Sequence, residues 1–423
     1  MLLPFLALIV TACAERQRIN PLDPRNVETG GRPSGVRVIS IQDTVFLSWD
    51  AISLDDLRGF QVYRKAEDDT AFLPVQFTRP SRPEMLDTTV ELGVEYAYRV
   101  SAVGFNYESD PSEPVTVTPG PTFNWVADNQ ARVVVQLTHD ARHPIRNVGR
   151  FATITHIEVD PVNGHLWLIN RFSSIDGSLV QVLPDGTIAQ PIVRFSAPVD
   201  AALDERSGAV WVADSRERAV RKVDLNGTVL FSIGSFSQPV SVDVDQRDGT
   251  CWVADKGGKR IGWVSSDGLL VGSLPITFEH LSHIEVNSAD GTIWVADSTR
   301  VVRVVPTDST ALEVAHEFAL AQQLAVDDLT GEVWVLDFRR PSVSKISAMG
   351  TLEFERPDFS RPFDLAVNRF DHTCLVADAG ARRLVRIAPS GETVAVFDDI
   401  GVPEAVAVQN VPLSEALTAR GLP

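Results

Sequence analysis

A tetrapeptide that recurs through the last two thirds of the chain limits what the chain can fold into. Trp-Val-Ala-Asp begins at Trp125, Trp211, Trp252 and Trp294, and variants of it begin at Trp167, Trp334 and Leu375. The steps between first residues are 42, 44, 41, 42, 40 and 41. A fixed period near 41 that carries only strand patterns means one supersecondary unit, stacked against copies of itself to bury its apolar faces. Each unit opens on a strand such as Ser241 to Asp245, followed by a turn, the Trp strand and two more strands. Asn163-Gly164, Ser207-Gly208, Asp248-Gly249, Asp290-Gly291 and Thr330-Gly331 precede the Trp strands. Glycine there supplies the positive φ that a tight hairpin requires. Asp185-Gly186, Asn226-Gly227, Asp267-Gly268 and Ser390-Gly391 mark a second hairpin between the third and fourth strands, so each unit reads as a four-stranded meander.

Forty-one residues in four strands is the size of one propeller blade. The first Trp strand, at Trp125, has no inner strand before it, and Glu404 to Val408 has no Trp strand after it. Pairing the two completes a seventh blade and removes the exposed sheet edges. Residues 121–411 are therefore expected to form a seven-bladed β-propeller closed by its N- and C-terminal strands, with 412–423 as a tail. The repeat resembles NHL-like and related propellers, in which Val-Ala-Asp precedes a basic stretch such as Arg218 to Val223.

Residues 34–119 show shorter alternating runs: Val36 to Ile39, Thr44 to Trp49, and Phe60 to Arg64. β-Branched and aromatic residues in near-alternation, with turn residues between them, indicate strands, so the whole chain belongs to the all-β class. Trp49, Gly59 to Arg64, and Gly93 to Val103 with its Tyr96-Ala97-Tyr98 together resemble the fibronectin type III family. That resemblance implies a β-sandwich in which Trp49 is core and Tyr96 makes a corner hydrogen bond. No Arg-Gly-Asp tripeptide is present, so the sandwich reads as a spacer or docking module.

Met1 to Ala12 is an apolar stretch of signal-peptide length that ends in small residues. Val10-Thr11-Ala12-Cys13 resembles a bacterial lipobox. The resemblance implies removal of residues 1–12 and acylation of Cys13, which would hold the chain in a membrane with residues 13–33 as a tether. Ala14 stands where many lipoproteins retained at the inner membrane have Asp, which directs the expectation to the outer membrane, facing either the periplasm or the outside. After position 12 no apolar run approaches the roughly 20 residues of a spanning helix. The formal charge of −18 opposes nucleic acid as a partner.

Trp125, Trp167, Trp211, Trp252, Trp294 and Trp334 recur with the unit and are read as structural, filling the space between blades. The repeated Asp is read as a cap on the turn that follows. Cys251 and Cys374 lie three blades apart and are read as buried thiols. Residues that break the repeat where the blades converge are the informative ones. Aligned inner strands place His156, Asp200, Ser241, His283, Gln323, Asp364 and Ala405 at one level, and Glu158, Ala202, Asp243, Glu285, Ala325, Ala366 and Ala407 two positions later. His156, Glu158, Asp200, Asp243, His283, Glu285 and Asp364 are thus candidates for an axial funnel, by ligand type able to take a divalent metal. The plainer reading is a water-filled channel. Related propellers, gluconolactonase-like hydrolases and streptogramin-lyase-like proteins among them, place a metal or an acid–base His at this point. The resemblance therefore implies a metal-dependent hydrolase or lyase as an alternative, although no Gly-x-Ser-x-Gly elbow, phosphate loop or His-Glu-x-x-His occurs. The preferred expectation is an anchored binding or scaffold module whose propeller meets a protein, peptide or glycan.

Overall fold

The computed structural model describes residues 31–189 and 192–413, together with Leu22, Asp23, Pro24, Asn26, Thr29 and Glu415. The expected signal segment and Cys13 lie outside the described residues. Every named element is a β-strand, and the chain divides into two compact units between Thr118 and Pro119.

In the first unit a three-stranded sheet (Arg37–Ile41, Thr44–Ser48, Glu84–Asp87) and a four-stranded sheet (Leu73–Thr78, Leu57–Ala66, Tyr96–Gly104, Val115–Val117) enclose one core. Trp49 is buried in it, with its ring edge-on to Phe60 at 5.4 Å. The Tyr96 hydroxyl accepts a hydrogen bond from the Glu91 backbone N–H at 3.0 Å. Tyr98 donates to the buried Asp87 at 2.9 Å, and Arg64 holds the same carboxylate at 2.7 Å.

The second unit is seven four-stranded antiparallel sheets. Six are built from consecutive strands. The seventh takes Phe123–Asp128, Val133–Leu137 and Pro144–Val148 from the front of the unit and Pro403–Gln409 from its end. In that sheet Ala407 lies opposite Trp125 and Ala405 opposite Ala127. The first strands of the sheets touch in sequence, from Thr153–Val159 round to Pro403–Gln409 and back, and so form a closed ring.

Two repeated devices hold this unit together. Each tryptophan of the repeated tetrapeptide is buried, and it joins a core that reaches into the next sheet: Trp125 packs with Ile154, Ile157 and Val180, and Trp211 with Val242, Val244 and Val253. At roughly 25 cal/mol per Å² of apolar surface, seams of this kind supply most of the stabilisation. The repeated aspartate works on the backbone. Asp214 accepts from Ser196, Ala197 and Glu217; Asp255 from Ser237, Gln238 and Gly258; and Asp337 from Ala319, Leu320, Arg339 and Arg340. It therefore caps the turn after its own strand and also pins the segment entering the inner strand. In the terminal sheet Asp128 does the same across the chain ends, accepting from Gln130, Ala131, Gly401 and Val402. Cys251 and Cys374 are both buried and free.

A chain ending at Pro389 lacks Thr393–Phe397 and Pro403–Gln409 and leaves the Trp125 strand without its inner-strand partner. It is expected to aggregate or to lose its cooperative thermal transition, whereas deletion of residues 14–119 is expected to leave a soluble domain that melts cooperatively. Differential scanning calorimetry of the two proteins makes the comparison, and equal behaviour would contradict closure through the termini.

Candidate functional site

The ring of inner strands is not one sheet, so its axial backbone N–H groups need partners from side chains. Local irregularity provides them. In all seven sheets the register between inner strand and Trp strand shifts at the same place, just before His156, Asp200, Ser241, His283, Gln323, Asp364 and Ala405. A bulge kinks the strand and redirects the next side chain. From there Asp200 accepts from the N–H of Val242 in the next sheet (2.9 Å), Ser241 from Ile284 (3.2 Å), His283 Nδ1 from Leu324 (3.3 Å) and Asp364 from Val406 (3.0 Å). One level on, Asp243 accepts from Val286 at 2.6 Å.

Six of the seven predicted residues, His156, Glu158, Asp243, His283, Glu285 and Asp364, line one axial cavity of ≈ 190 Å³. Asp200 does not line it; its carboxylate is turned to the Val242 N–H and to His156. His156 lies between two carboxylates, with Nδ1 3.1 Å from Asp200 and Nε2 3.2 Å from Glu158. Burial alone would lower its pKa, but Asp200, Glu158 and Asp364 outweigh burial and raise it to about 9. His283 goes the other way: burial lowers it to about 4. Burial also raises Asp364 to about 6 against its hydrogen bond from Val406, and pushes Asp243 and Glu285 well above the usual carboxylate range. The axis thus sets a histidine raised well above its ordinary value beside one lowered well below it, among carboxyls whose proton affinity burial raises.

A third level escaped the sequence reading. The residue after each inner-strand Asp, Asn or, in the terminal sheet, Gln409 also faces the cavity, giving Pro161, Glu205, Gln246, Ser288, Asp328, Arg369 and Asn410. These stitch in the opposite sense: Gln246 accepts from the Glu205 N–H, Ser288 from Gln246, Asp328 from Ser288, and Asn410 from Arg369. Arg369 reaches Glu205 at 2.6 Å and Asp328 at 3.0 Å, and the Leu413 N–H donates to the other oxygen of Glu205. One arginine among acids at a repeat-breaking position was the available signal.

The arrangement does not fit a divalent metal. Among the described residues no group of three or more His, Cys, Asp or Glu side chains is placed to hold one. The reason is physical: oxygens of Asp200, Asp243 and Asp364 are taken by backbone N–H groups, and His283 Nδ1 by Leu324.

Four-stranded meanders whose first strands ring a polar axis define a β-propeller. Solved structures agree on that class. A protein of unknown function from Desulfotomaculum acetoxidans matches with a TM-score of 0.55 at 13% identity, over 68% of this chain and 98% of its own. A candidate 6-phosphogluconolactonase from Bacteroides uniformis matches with a TM-score of 0.55 at 10% identity, over 68% and 99%. The Cps50 (Swd1) β-propeller domain of Myceliophteria thermophila matches with a TM-score of 0.53 at 11% identity, over 64% and 93%. No protein-family model matches the chain, and no curated protein does so significantly. At these identities the likeness is one of fold alone.

The His156 pair has a pH signature. A histidine raised from 6.5 to about 9 contributes stability that is complete below pH 6.5 and is lost as the pH rises through 9. NMR titration is expected to place the His156 midpoint near 9, and Asp200→Asn is expected to lower that midpoint by more than one unit. The same substitution is expected to destabilise the protein at pH 7 by about 3 kcal/mol. An unshifted midpoint would show that Asp200 does not hold the charge.

Proposed function

We propose that the chain is a cell-envelope lipoprotein in which acylated Cys13 anchors a fibronectin-III-like sandwich and a seven-bladed propeller, and in which the propeller is a binding module rather than an enzyme. The sheet order of the first unit, Trp49 in its core and the Glu91–Tyr96 hydrogen bond support the sandwich reading. The ring of seven inner strands, closed by Pro403–Gln409, supports the blade count. The outer membrane is the proposed destination, following Ala14.

The observation that carries the binding reading is a difference in charge between the two ends of the sheets. In an antiparallel meander the turns between second and third strands lie at one end, and those between third and fourth strands at the other. The former, at 129–132, 174–175, 215–218, 256–259, 298–299, 338–341 and 379–382, hold Arg132, Arg216, Arg218, Lys256, Lys259, Arg339, Arg340 and Arg382 against the single acid Glu217. The latter hold Asp140, Asp185, Asp224, Asp267, Asp308 and Glu392 against Arg142. All eight cations are exposed. Connections to the next inner strand share the basic end and add Glu279, Glu317, Asp358, Asp398 and Asp399 against Arg150 and Arg361. Of these acids, Glu279 is held by Lys259 and Asp358 by Arg356. In a chain of net charge −18, this end is suited to an anionic glycan or an acidic protein surface, with long-range repulsion screened beyond a Debye length of about 8 Å.

Two measurements test the proposal. Mass spectrometry of the protein from membranes is expected to find a chain beginning at Cys13 and carrying acyl mass; an unmodified Cys13 would remove the anchor. Retention on immobilised heparin at about 0.1 M salt, where the Debye length is near 10 Å, is expected for the wild type. It is expected to be lost when Arg216, Arg218, Lys256 and Arg339 are all changed to Glu. Equal elution of the two proteins would remove the basic end as a binding surface.

A further inference from the structure

Opposite the basic end, each sheet turns twice, between its first and second strands and between its third and fourth. Among the described residues of the second unit, the four most exposed large apolar side chains all lie in turns at this acid end: Leu269 (80%), Met349 (77%), Val162 (68%) and Leu270 (63%). Counting the terminal sheet as the first, they stand in the second, fourth and sixth sheets. Two of them break the repeat. The position of Leu269 is held in five other turns by Thr187, Thr228, Thr310, Thr351 and Glu392, and that of Met349 by Asp185, Asn226, Asp267, Asp308 and Ser390. Polar residues there serve the turn: Asp185, Asp267 and Asp308 each accept from the N–H two residues on, a bond that Met349 gives up. The turns are nonetheless firmly held. Lys222 Nζ donates to the Ser266 carbonyl at 3.0 Å, Leu270 N–H to Ser265 Oγ at 2.9 Å and Val162 N–H to Asp160 at 2.8 Å. Single exposed apolar residues are ordinary, but four gathered at one end, two of them in polar positions of the repeat, mark a surface that something covers.

Area and charge decide what covers it. At roughly 100 Å² for a fully exposed aliphatic side chain, the four present about 300 Å². A stable protein interface takes about 800 Å² from each partner and gathers its apolar groups into one desolvated core, whereas these form three separate tips. A second copy docked end to end would also set Asp185, Asp224, Asp267, Asp308 and Glu392 against their own counterparts. Turns between first and second strands add the exposed Asp248 and Asp290 against Arg206, with Arg247 tied to Asp245. A fluid lipid surface needs no complementary shape and admits separate apolar tips to a depth of about 5–10 Å. Zwitterionic headgroups carry an ammonium group outermost, which suits the acids between the tips, whereas anionic lipid is opposed by those acids and by the charge of −18. We propose that the acid end of the propeller rests on a zwitterionic lipid surface, with Val162, Leu269, Leu270 and Met349 entering its headgroup layer and the basic end turned away from the bilayer. How the chain reaches a bilayer rests on the proposed anchor: residues 13–30, even fully extended, span at most about 60 Å, so an acylated Cys13 holds the chain at that surface. Docking through the tips then leaves the basic end open to its ligand.

Flotation with vesicles of phosphatidylethanolamine and phosphatidylcholine in equal parts tests the proposal, using the chain from residue 14 onward, which keeps both folded units and has no acylation site. The wild type is expected to float with these vesicles, and to do so less with vesicles rich in phosphatidylglycerol. Leu269→Thr and Met349→Asp restore residue types of the repeat; combined with Val162→Ser they are expected to lower the bound fraction about fivefold or more while leaving the thermal transition unchanged. Cys251 and Cys374 are buried, so an environment-sensitive label can be placed at a single surface position. Its emission is expected to shift to the blue on vesicles when it is carried by Leu269→Cys, and to stay unchanged when it is carried by Ile175→Cys, whose side chain is exposed at the basic end. No flotation, equal flotation of the triple variant, stronger binding to phosphatidylglycerol, a blue shift at position 175, or a dimer of the wild type that the triple variant loses would each overturn the proposal. Because this chain lacks Cys13, a failure here leaves the anchor standing, and an unmodified Cys13 in the membrane protein leaves the lipid contact standing.

Discussion

Seven inner strands that face one another without sharing a sheet leave backbone N–H groups at the axis, and the second unit depends on satisfying them. Each such group, left unpaired and buried, costs about 1–3 kcal/mol. The chain answers with side chains that cross to the neighbouring sheet: Asp200 to Val242, His283 to Leu324 and Asp364 to Val406 at one level, and Gln246 to Glu205 and Asp328 to Ser288 at another. The two levels run in opposite senses around the ring and bridge the same pairs of neighbouring sheets. The tryptophan seams press the sheets together; the axial hydrogen bonds fix their register.

That solution creates the chemistry of the axis. Acceptors are needed, and carboxylates are strong ones, so acids accumulate where little solvent reaches them. Their mutual repulsion is limited in three ways. His156 is drawn into charge by Asp200 and Glu158, and Arg369 spans Glu205 and Asp328. Burial shifts Asp243 and Glu285 toward the protonated form. Shifted proton affinities therefore arise here from an architectural need, which is why a metal reading drawn from residue types alone does not survive the geometry.

What was legible in the sequence follows from the same division. Residues that repeat with the blade, the tryptophans and the Val-Ala-Asp aspartates, serve local needs common to every sheet, so their period exposes them. The levels of His156 and Glu158 were legible because alternate residues of a strand share a face. Arg369 and Glu205 were not, because the inner strand ends at an Asx turn, where Asp204 accepts from the Arg206 N–H and the simple alternation stops. The bulge before each axial residue was equally hidden, since six residue types fill its seven positions, Thr155, Val199, Val240, Ser282, Gln322, Phe363 and Glu404.

The departures from sevenfold regularity are not scattered evenly around the ring. Counting the terminal sheet as the first, Glu158, Asp243 and Glu285 stand in the second, fourth and fifth sheets, while alanine holds the same level in the third, sixth, seventh and first, and of these alanines only Ala202 does not line the cavity. An axis needed only as a hub would gain from even filling, since close packing without voids is the stable state of an interior. Alanine at the three adjoining cavity-lining positions, Ala325, Ala366 and Ala407, gives up that packing. Three of the four alanines adjoin, so the void falls on one side of the axis, and Glu158 and Glu285 stay partly exposed to it.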